Sequence, residues 1–187
     1  MVMQQSQMPQ LGTPAPEFSL PDPSGTHYSL AQFADARLLL VVFICNHCPY
    51  VKHILDGLVK FAHDYQSRGV AMVAISANDI ANVPEDSPAN MASVAAQKGF
   101  TFPYLYDESQ AVAKSYQAAC TPDLFLFDQQ RRLAYHGQFD ASRPRNTVPV
   151  SGADLRAATD AALAGQSIAA QIPSVGCSIK WKTGQQP

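Results

Sequence analysis

The sequence predicts an α/β fold built on a central mixed sheet flanked by helices, and three observations carry that reading. Leu38–Ile44 is an uninterrupted apolar run of strand length, it leads at once into an amphipathic segment, and Val70–Ser76 supplies a second run of the same kind. Charge-free Leu/Val/Ile stretches are the pattern of strands covered on both faces. Strand, helix and strand in that order form one βαβ unit with a right-handed crossover. Farther on, Leu124–Phe127 and Leu133–His136 flank the turn Asp128–Arg131 and read as an antiparallel hairpin, which makes the sheet mixed.

Residues 1–16 are polar and proline-spaced, so 1–11 read as disordered and the rest as an extended lead-in. Phe18 and Leu20 alternate with polar neighbours, Pro21-Asp22-Pro23-Ser24-Gly25 makes a turn, and Thr26–Tyr28 returns, giving an N-terminal β-hairpin. Ser29 caps a short helical turn through Phe33. After the central strand, apolar residues at 51, 54, 55, 58, 62 and 65 hold the helical period to about Arg68, and Gly69 closes the helix. Gly57 inside it costs about 1 kcal/mol against Ala, which suits a close crossing at that point. Asn78–Pro88 is a polar loop, and Ser87-Pro88 opens a helix that runs to about Lys98 before Gly99. Phe102–Tyr106 reads as a short strand and Ser109–Tyr116 as a short helix. The hairpin follows, then an Ala-rich helix over Gly152–Ala164 ended by Gly165, then a tail over 166–187. At 187 residues and 47% hydrophobic content the chain can bury one sizeable core, and one domain over 1–187 is expected.

Charge excludes one class of partner. Thirteen basic against fifteen acidic residues leave a net charge of −2, with no basic run that could track a nucleic-acid backbone. The opening MVMQQSQMPQ has neither a cationic stretch nor an apolar one, and Leu38–Ile44 is too short to span a bilayer, so a cytoplasmic chain with no membrane partner is expected. Four cysteines are too few for a disulfide-built scaffold. In a reducing compartment a Cys-x-x-Cys is redox-active or metal-binding before it is structural.

That motif, Cys45-Asn46-His47-Cys48-Pro49, lies at the turn from strand to helix. Proline is favoured at the first helical position because its missing N–H would have no partner there, so Pro49 makes Cys48 the N-cap. A sulfur at that place faces free backbone N–H groups and the positive end of the helix dipole. Both favour the thiolate, and Cys48 is expected to be a reactive nucleophile. Cys45 can close a disulfide with it only if the Asn46-His47 turn bends the chain, because bridged Cα atoms lie within about 7 Å whereas three extended residues span roughly 10 Å. His47 is a solvated turn residue or an imidazolium that tunes the thiol pair. His27, His53, His63 and His136 are scattered and read as surface residues.

With Gly12-Thr13-Pro14-Ala15-Pro16-Glu17-Phe18-Ser19-Leu20 and the string CNHCPYVKH, the chain resembles the thioredoxin-like superfamily. Within it, the resemblance is to the redoxin branch (alkyl hydroperoxide reductase/thiol-specific antioxidant) and a peroxiredoxin-like group, and it extends to Gly176-Cys177-Ser178-Ile179-Lys180-Trp181-Lys182. It implies a thioredoxin-like fold with the N-terminal hairpin of redoxins. It also implies that Cys48 is the first, nucleophilic cysteine, with the second thioredoxin cysteine replaced by Val51, so that Cys45 becomes the candidate resolving thiol. Thr121-Pro122 matches the loop whose cis-proline lies beside the nucleophile in such proteins. That makes Cys120 a second candidate partner, and Cys177, in a tail able to fold back over the site, an auxiliary one. The pattern departs from peroxiredoxins, which carry Pro and Thr/Ser where this chain has Val41 and Cys45, and which bring in an arginine that Ser115–Phe127 lacks. It departs from thioredoxins at Val42, where they carry a buried acid.

The expected activity is thiol–disulfide exchange. The Cys48 thiolate attacks a disulfide, Cys45 resolves the mixed species, and a dithiol such as a thioredoxin or glutathione system restores both, with no cofactor. Peroxide reduction is the alternative within enzymes, with peroxide as substrate. An alternative of another class is a soft-metal site for zinc or copper built from Cys45, His47, Cys48 and Cys120. An oligomer is compatible with the sequence.

Overall fold

A computed structural model describes residues 3–168 and 171–186. Its strands are β1 (Met3–Gln5), β2 (Ser19–Pro21), β3 (His27–Ser29), β4 (Leu38–Phe43), β5 (Val70–Ser76), β6 (Tyr104–Tyr106), β7 (Cys120–Thr121), β8 (Asp123–Phe127), β9 (Leu133–His136) and β10 (Val175–Ser178). Its α-helices are α1 (Pro49–Gln66), α2 (Pro88–Lys98), α3 (Ala111–Ser115) and α4 (Ala153–Leu163). The central sheet has the order β6-β5-β4-β8-β9, with β4, β5 and β6 parallel and β8 and β9 added antiparallel. This is the mixed sheet expected, and β2 and β3 form the N-terminal hairpin with Leu20 opposite Tyr28.

The uninterrupted apolar character of β4 has a direct cause. Side chains alternate across a strand, and here both faces are covered. Leu38, Leu40 and Val42 pack with Ile54, Leu55 and Leu58 of α1 and Leu155 of α4, while Leu39, Val41 and Phe43 pack with Phe18, Leu20 and Tyr116. Gly57 is the close crossing expected, because a Cβ there would lie 2.9 Å from the Phe139 ring and 3.0 Å from Val150. Gly99 ends α2 in the left-handed conformation, φ 65°.

Three expectations need correction. Met3–Gln5 fall in the stretch read as disordered, yet they form β1, antiparallel to β10. The tail likewise contains β10, whose other edge pairs with β7, so that β1, β10 and β7 make a separate three-stranded sheet. Strand pairing uses backbone groups, and the three exposed side chains of β1 leave no hydrophobic pattern to read. His136 is fully buried rather than on the surface. Residues 1–2 of the expected disordered start, and residues 169–170 and 187 of the expected tail, lie outside the described residues.

Candidate active site

Cys48 is the N-cap of α1, extended at φ −64° and ψ 122°, with Pro49 at the first helical position. Between β4 and that cap the chain turns sharply, and the turn is held from outside by Asp86. One carboxylate oxygen accepts the backbone N–H groups of Asn46 (2.7 Å) and His47 (3.1 Å). The other is bonded to His47 Nδ1 (2.6 Å) and Asn78 Nδ2 (2.8 Å). Asn46 is fixed further by its own amide donating to Glu85 O and by Tyr104 Oη donating to its carbonyl oxygen. Asp86 is fully buried. Taken alone, that burial is the largest influence on its pKa and raises it, but the bonds from His47 and Asn78 together outweigh it and the net shift is downward.

Two sulfurs of the turn are driven apart in pKa. The Cys45 thiol facing Cys48 is the largest influence on it, and with the Cys177 thiol and the Val51 backbone N–H it outweighs desolvation, lowering Cys48 to about 4. Cys45 moves the other way, well above the ordinary thiol range, through its bond to Cys48, its burial and the negative charge of Asp86. The Thr121 carbonyl oxygen, 3.2 Å from Cys48 Sγ, accepts from the sulfur only when it is protonated and so opposes the thiolate. The arrangement is one thiolate ringed by protonated thiols. His47 Nδ1 lies 3.6 Å from Cys45 Sγ, and Thr121 Oγ1 lies 3.4 Å from it, so His47 borders Cys45 rather than Cys48.

The Thr121–Pro122 peptide is cis, and the loop lies against Cys48, the position the resemblance implied for it. Cys177, opposite Thr121 in the pairing of β10 with β7, has its Sγ 3.0 Å from Cys48 Sγ. Cys120 is placed differently. Neighbouring side chains of a strand point to opposite faces, and with Thr121 aimed at Cys45, the Cys120 sulfur turns away and makes its contact with Pro122 O at 3.6 Å. Burial pushes the Cys120 thiol far up. The structure thus brings Cys45, Cys48, Thr121, Pro122, His47 and Cys177 together and leaves Cys120 beside them without a sulfur contact.

Donor atoms do converge, as Cys45, His47 and Asp86 within 4.8 Å of one another. Neither Cys48 nor Cys120 belongs to that group. With Cys48 and Cys120 outside the group and both Asp86 oxygens taken by hydrogen bonds, the set expected for a soft metal is not supported.

Asp86, Asn78 and Tyr104 escaped the sequence reading, since no local spacing links them to the Cys-x-x-Cys. His136 escaped it as well. Its Nε2 is 2.7 Å from Asp123 Oδ1, and its ring stacks on Phe125 with centroids 4.0 Å apart. His53 is half-buried and bonded to Ser142 Oγ at 2.7 Å.

Comparison with solved structures defines the class. A thiol:disulfide interchange protein of the thioredoxin family from Chlorobium tepidum shares 20% identity, covers 83% of this chain and 99% of its own, and superposes with a TM-score of 0.63, which at that identity establishes the fold alone. The fold is thioredoxin-like. Residues 11–136 match the AhpC/TSA family, and the chain belongs to it. A hypothetical protein from Sinorhizobium meliloti 1021 is 52% identical, with a TM-score of 0.95 over 96% of this chain and 99% of that one. A Mycobacterium tuberculosis protein named "Putative peroxiredoxin" is 27% identical over 107 residues, 57% of this chain; the match spans 63% of that relative, less than two thirds of its length. Among the described residues no helix is long and apolar enough to cross a membrane.

Proposed function

We propose that the protein is a thiol–disulfide oxidoreductase in which Cys48 is the nucleophile and Cys45 the resolving thiol. The observation that carries this is the placement of Cys48 at the N-cap of α1 before Pro49 with Cys45 in the same turn, a setting that lowers the Cys48 pKa and raises that of Cys45. Exchange needs a thiolate attacker and a second thiol held in reserve. Attack on a disulfide turns Cys48 into a neutral sulfur, which removes the negative charge that helps keep Cys45 protonated. Cys45 then becomes the easier group to ionise, and attack on Cys48 expels the substrate thiol. A dithiol reductant such as a thioredoxin or glutathione system returns the pair to the reduced state. Four cysteines, too few for a disulfide-built scaffold, suit a reducing, cytoplasmic setting.

A second reading, peroxide reduction, is favoured by membership of the AhpC/TSA family and by the name of the M. tuberculosis relative. Rapid peroxide cleavage needs donors fixed on the leaving oxygen. Val41 offers none, and Cys45 offers a weak one. The guanidinium of Arg143, which lines a small cavity with Pro122 and Tyr50, already donates to Asp140 O, Ser142 O and Gln138 Oε1. A disulfide asks for less help because a thiolate leaves more readily than hydroxide.

Stopped-flow turnover with a small disulfide should exceed that with hydrogen peroxide at matched concentrations, and Cys48→Ser should abolish both. Peroxide oxidising Cys48 faster than every disulfide tested would replace the exchange assignment by the peroxidase one.

A further inference from the structure

The exchange chemistry of Cys48 and Cys45 gives β10 no role, yet β10 lays a third sulfur against the nucleophile. Cys177 Sγ lies 3.0 Å from Cys48 Sγ, so an approach of about 1 Å reaches a disulfide bond length of about 2.05 Å. The backbone fixes this placement. Cys177 is registered opposite Thr121 and Ser178 opposite Cys120, while the other edge of β10 is tied to β1. Gly176 packs so tightly on β7 that a Cβ would stand 2.0 Å from the Thr121 carbonyl oxygen, so the close pairing depends on a residue with no side chain. A sheet edge takes up a peptide by adding it as a strand, and beside Thr121 the peptide added is the chain's own tail. The consequence for access is direct, since Cys48 is 0% exposed with Cys177 against it.

We propose that β10 is an internal substrate strand and Cys177 a third redox thiol, the two sulfurs closing a Cys48–Cys177 disulfide during turnover. This rests on the exchange reading above. With a small disulfide RSSR, the Cys48 thiolate forms Cys48–S–S–R and releases RS⁻. The Cys177 sulfur, 3.0 Å away and competing with Cys45 for the same mixed disulfide, then attacks the Cys48 sulfur. The Cys48–Cys177 bond forms as the bond to R breaks, and the Cys177 proton leaves with the second R sulfur as RSH. Two protein sulfurs are oxidised and one RSSR is reduced. Cys45 can then attack Cys48, moving the disulfide to Cys45–Cys48 and handing its proton to the freed Cys177 sulfur. Burial, and then the neighbouring Cys48 sulfur, hold Cys177 up to about 12. The mixed disulfide cancels the second influence, so Cys177 is reserved until Cys48 has reacted.

The test is disulfide mapping by mass spectrometry after the reduced protein has met one equivalent of glutathione disulfide and been quenched in acid. Cys45→Ser should yield mainly a peptide pair linked through Cys48 and Cys177. In Cys45→Ser/Cys177→Ser the glutathione adduct should persist on Cys48. In Cys45→Ser/Gly176→Ala, with β10 pushed off β7, the linked pair should fall several-fold and alkylation of Cys48 by iodoacetamide should speed up. An adduct that persists on Cys48 in Cys45→Ser, or a Cys48–Cys120 link in place of Cys48–Cys177, would overturn the proposal. Absence of any adduct on Cys48 in the double serine variant would instead overturn the exchange reading beneath it.

Discussion

Asp86→Ala should destabilise the protein by about 2–6 kcal/mol, because it removes a buried acceptor from the Asn46 and His47 backbone N–H groups, at roughly 1–3 kcal/mol for each one left unsatisfied. The structure supplies the reasons for the upper part of the usual mutational range. The carboxylate is fully buried and serves four donors, two of them the backbone N–H groups of Asn46 and His47. Asp86→Asn keeps one carbonyl oxygen but turns an NH₂ toward other donors, and a smaller loss of about 1–3 kcal/mol is expected. Urea unfolding at constant slope measures both. The pH dependence has a definite sign. The folded pKa of Asp86 is depressed, since the bonds from His47 and Asn78 outweigh burial. Its stabilisation is therefore complete above the unfolded carboxylate value of about 3.9 and is lost as pH falls through the lower folded value. The gap between wild type and Asp86→Asn should narrow only in that acid window. An Asp86→Ala loss below about 1 kcal/mol with an unchanged slope would show that the turn holds itself and that the carboxylate is incidental.

Two further outcomes follow from the same contacts. The ultraviolet thiolate signal of the reduced protein should persist down to about pH 4 and be missing from Cys48→Ser. Because this folded pKa is depressed, the stabilisation it brings is complete above the unfolded thiol value of about 8.5 and declines as pH falls toward the folded one. A signal that titrates near the ordinary thiol value would remove the charge division from the mechanism. Gly57→Leu should cost roughly 1–3 kcal/mol in urea unfolding, because its Cβ alone meets the Phe139 ring at 2.9 Å. A neutral result would mean that α1 does not cross Phe139 as closely as described.

What the sequence disclosed, and what it withheld, divide along physical lines. The run Leu38–Ile44 announced β4 because covering both faces removes polar residues altogether, and Pro49 announced the helix start because only that position suits its missing N–H. Asp128–Arg131 marked the turn of the hairpin that makes the sheet mixed. Each of these signals is local. Asp86 is forty residues from Asn46, and the polar loop that carries it looks like any solvated connection. His136 reads as the surface end of a strand until Asp123 and Phe125 are known to lie across it. Strands β1 and β10 pair through backbone alone, so neither their existence nor the delivery of Cys177 to Cys48 leaves a periodic trace.

The same division explains how the site can lack a feature its motif leads one to seek. Val42 removes the acid that a thioredoxin carries beneath its nucleophile, and from the sequence this looks like the loss of a buried carboxylate. In the fold a buried carboxylate is present, but it comes from the loop after β5 and stands on the Cys45 side, within 4.8 Å of that sulfur and bonded to His47. Its negative charge raises Cys45, whereas Cys48 is lowered chiefly by the neighbouring thiol of Cys45. An acid beneath Cys48 would oppose its thiolate by simple repulsion. Moving the charge to the far side of the turn favours an ionised Cys48 and a protonated Cys45, the order in which the proposed exchange would use them.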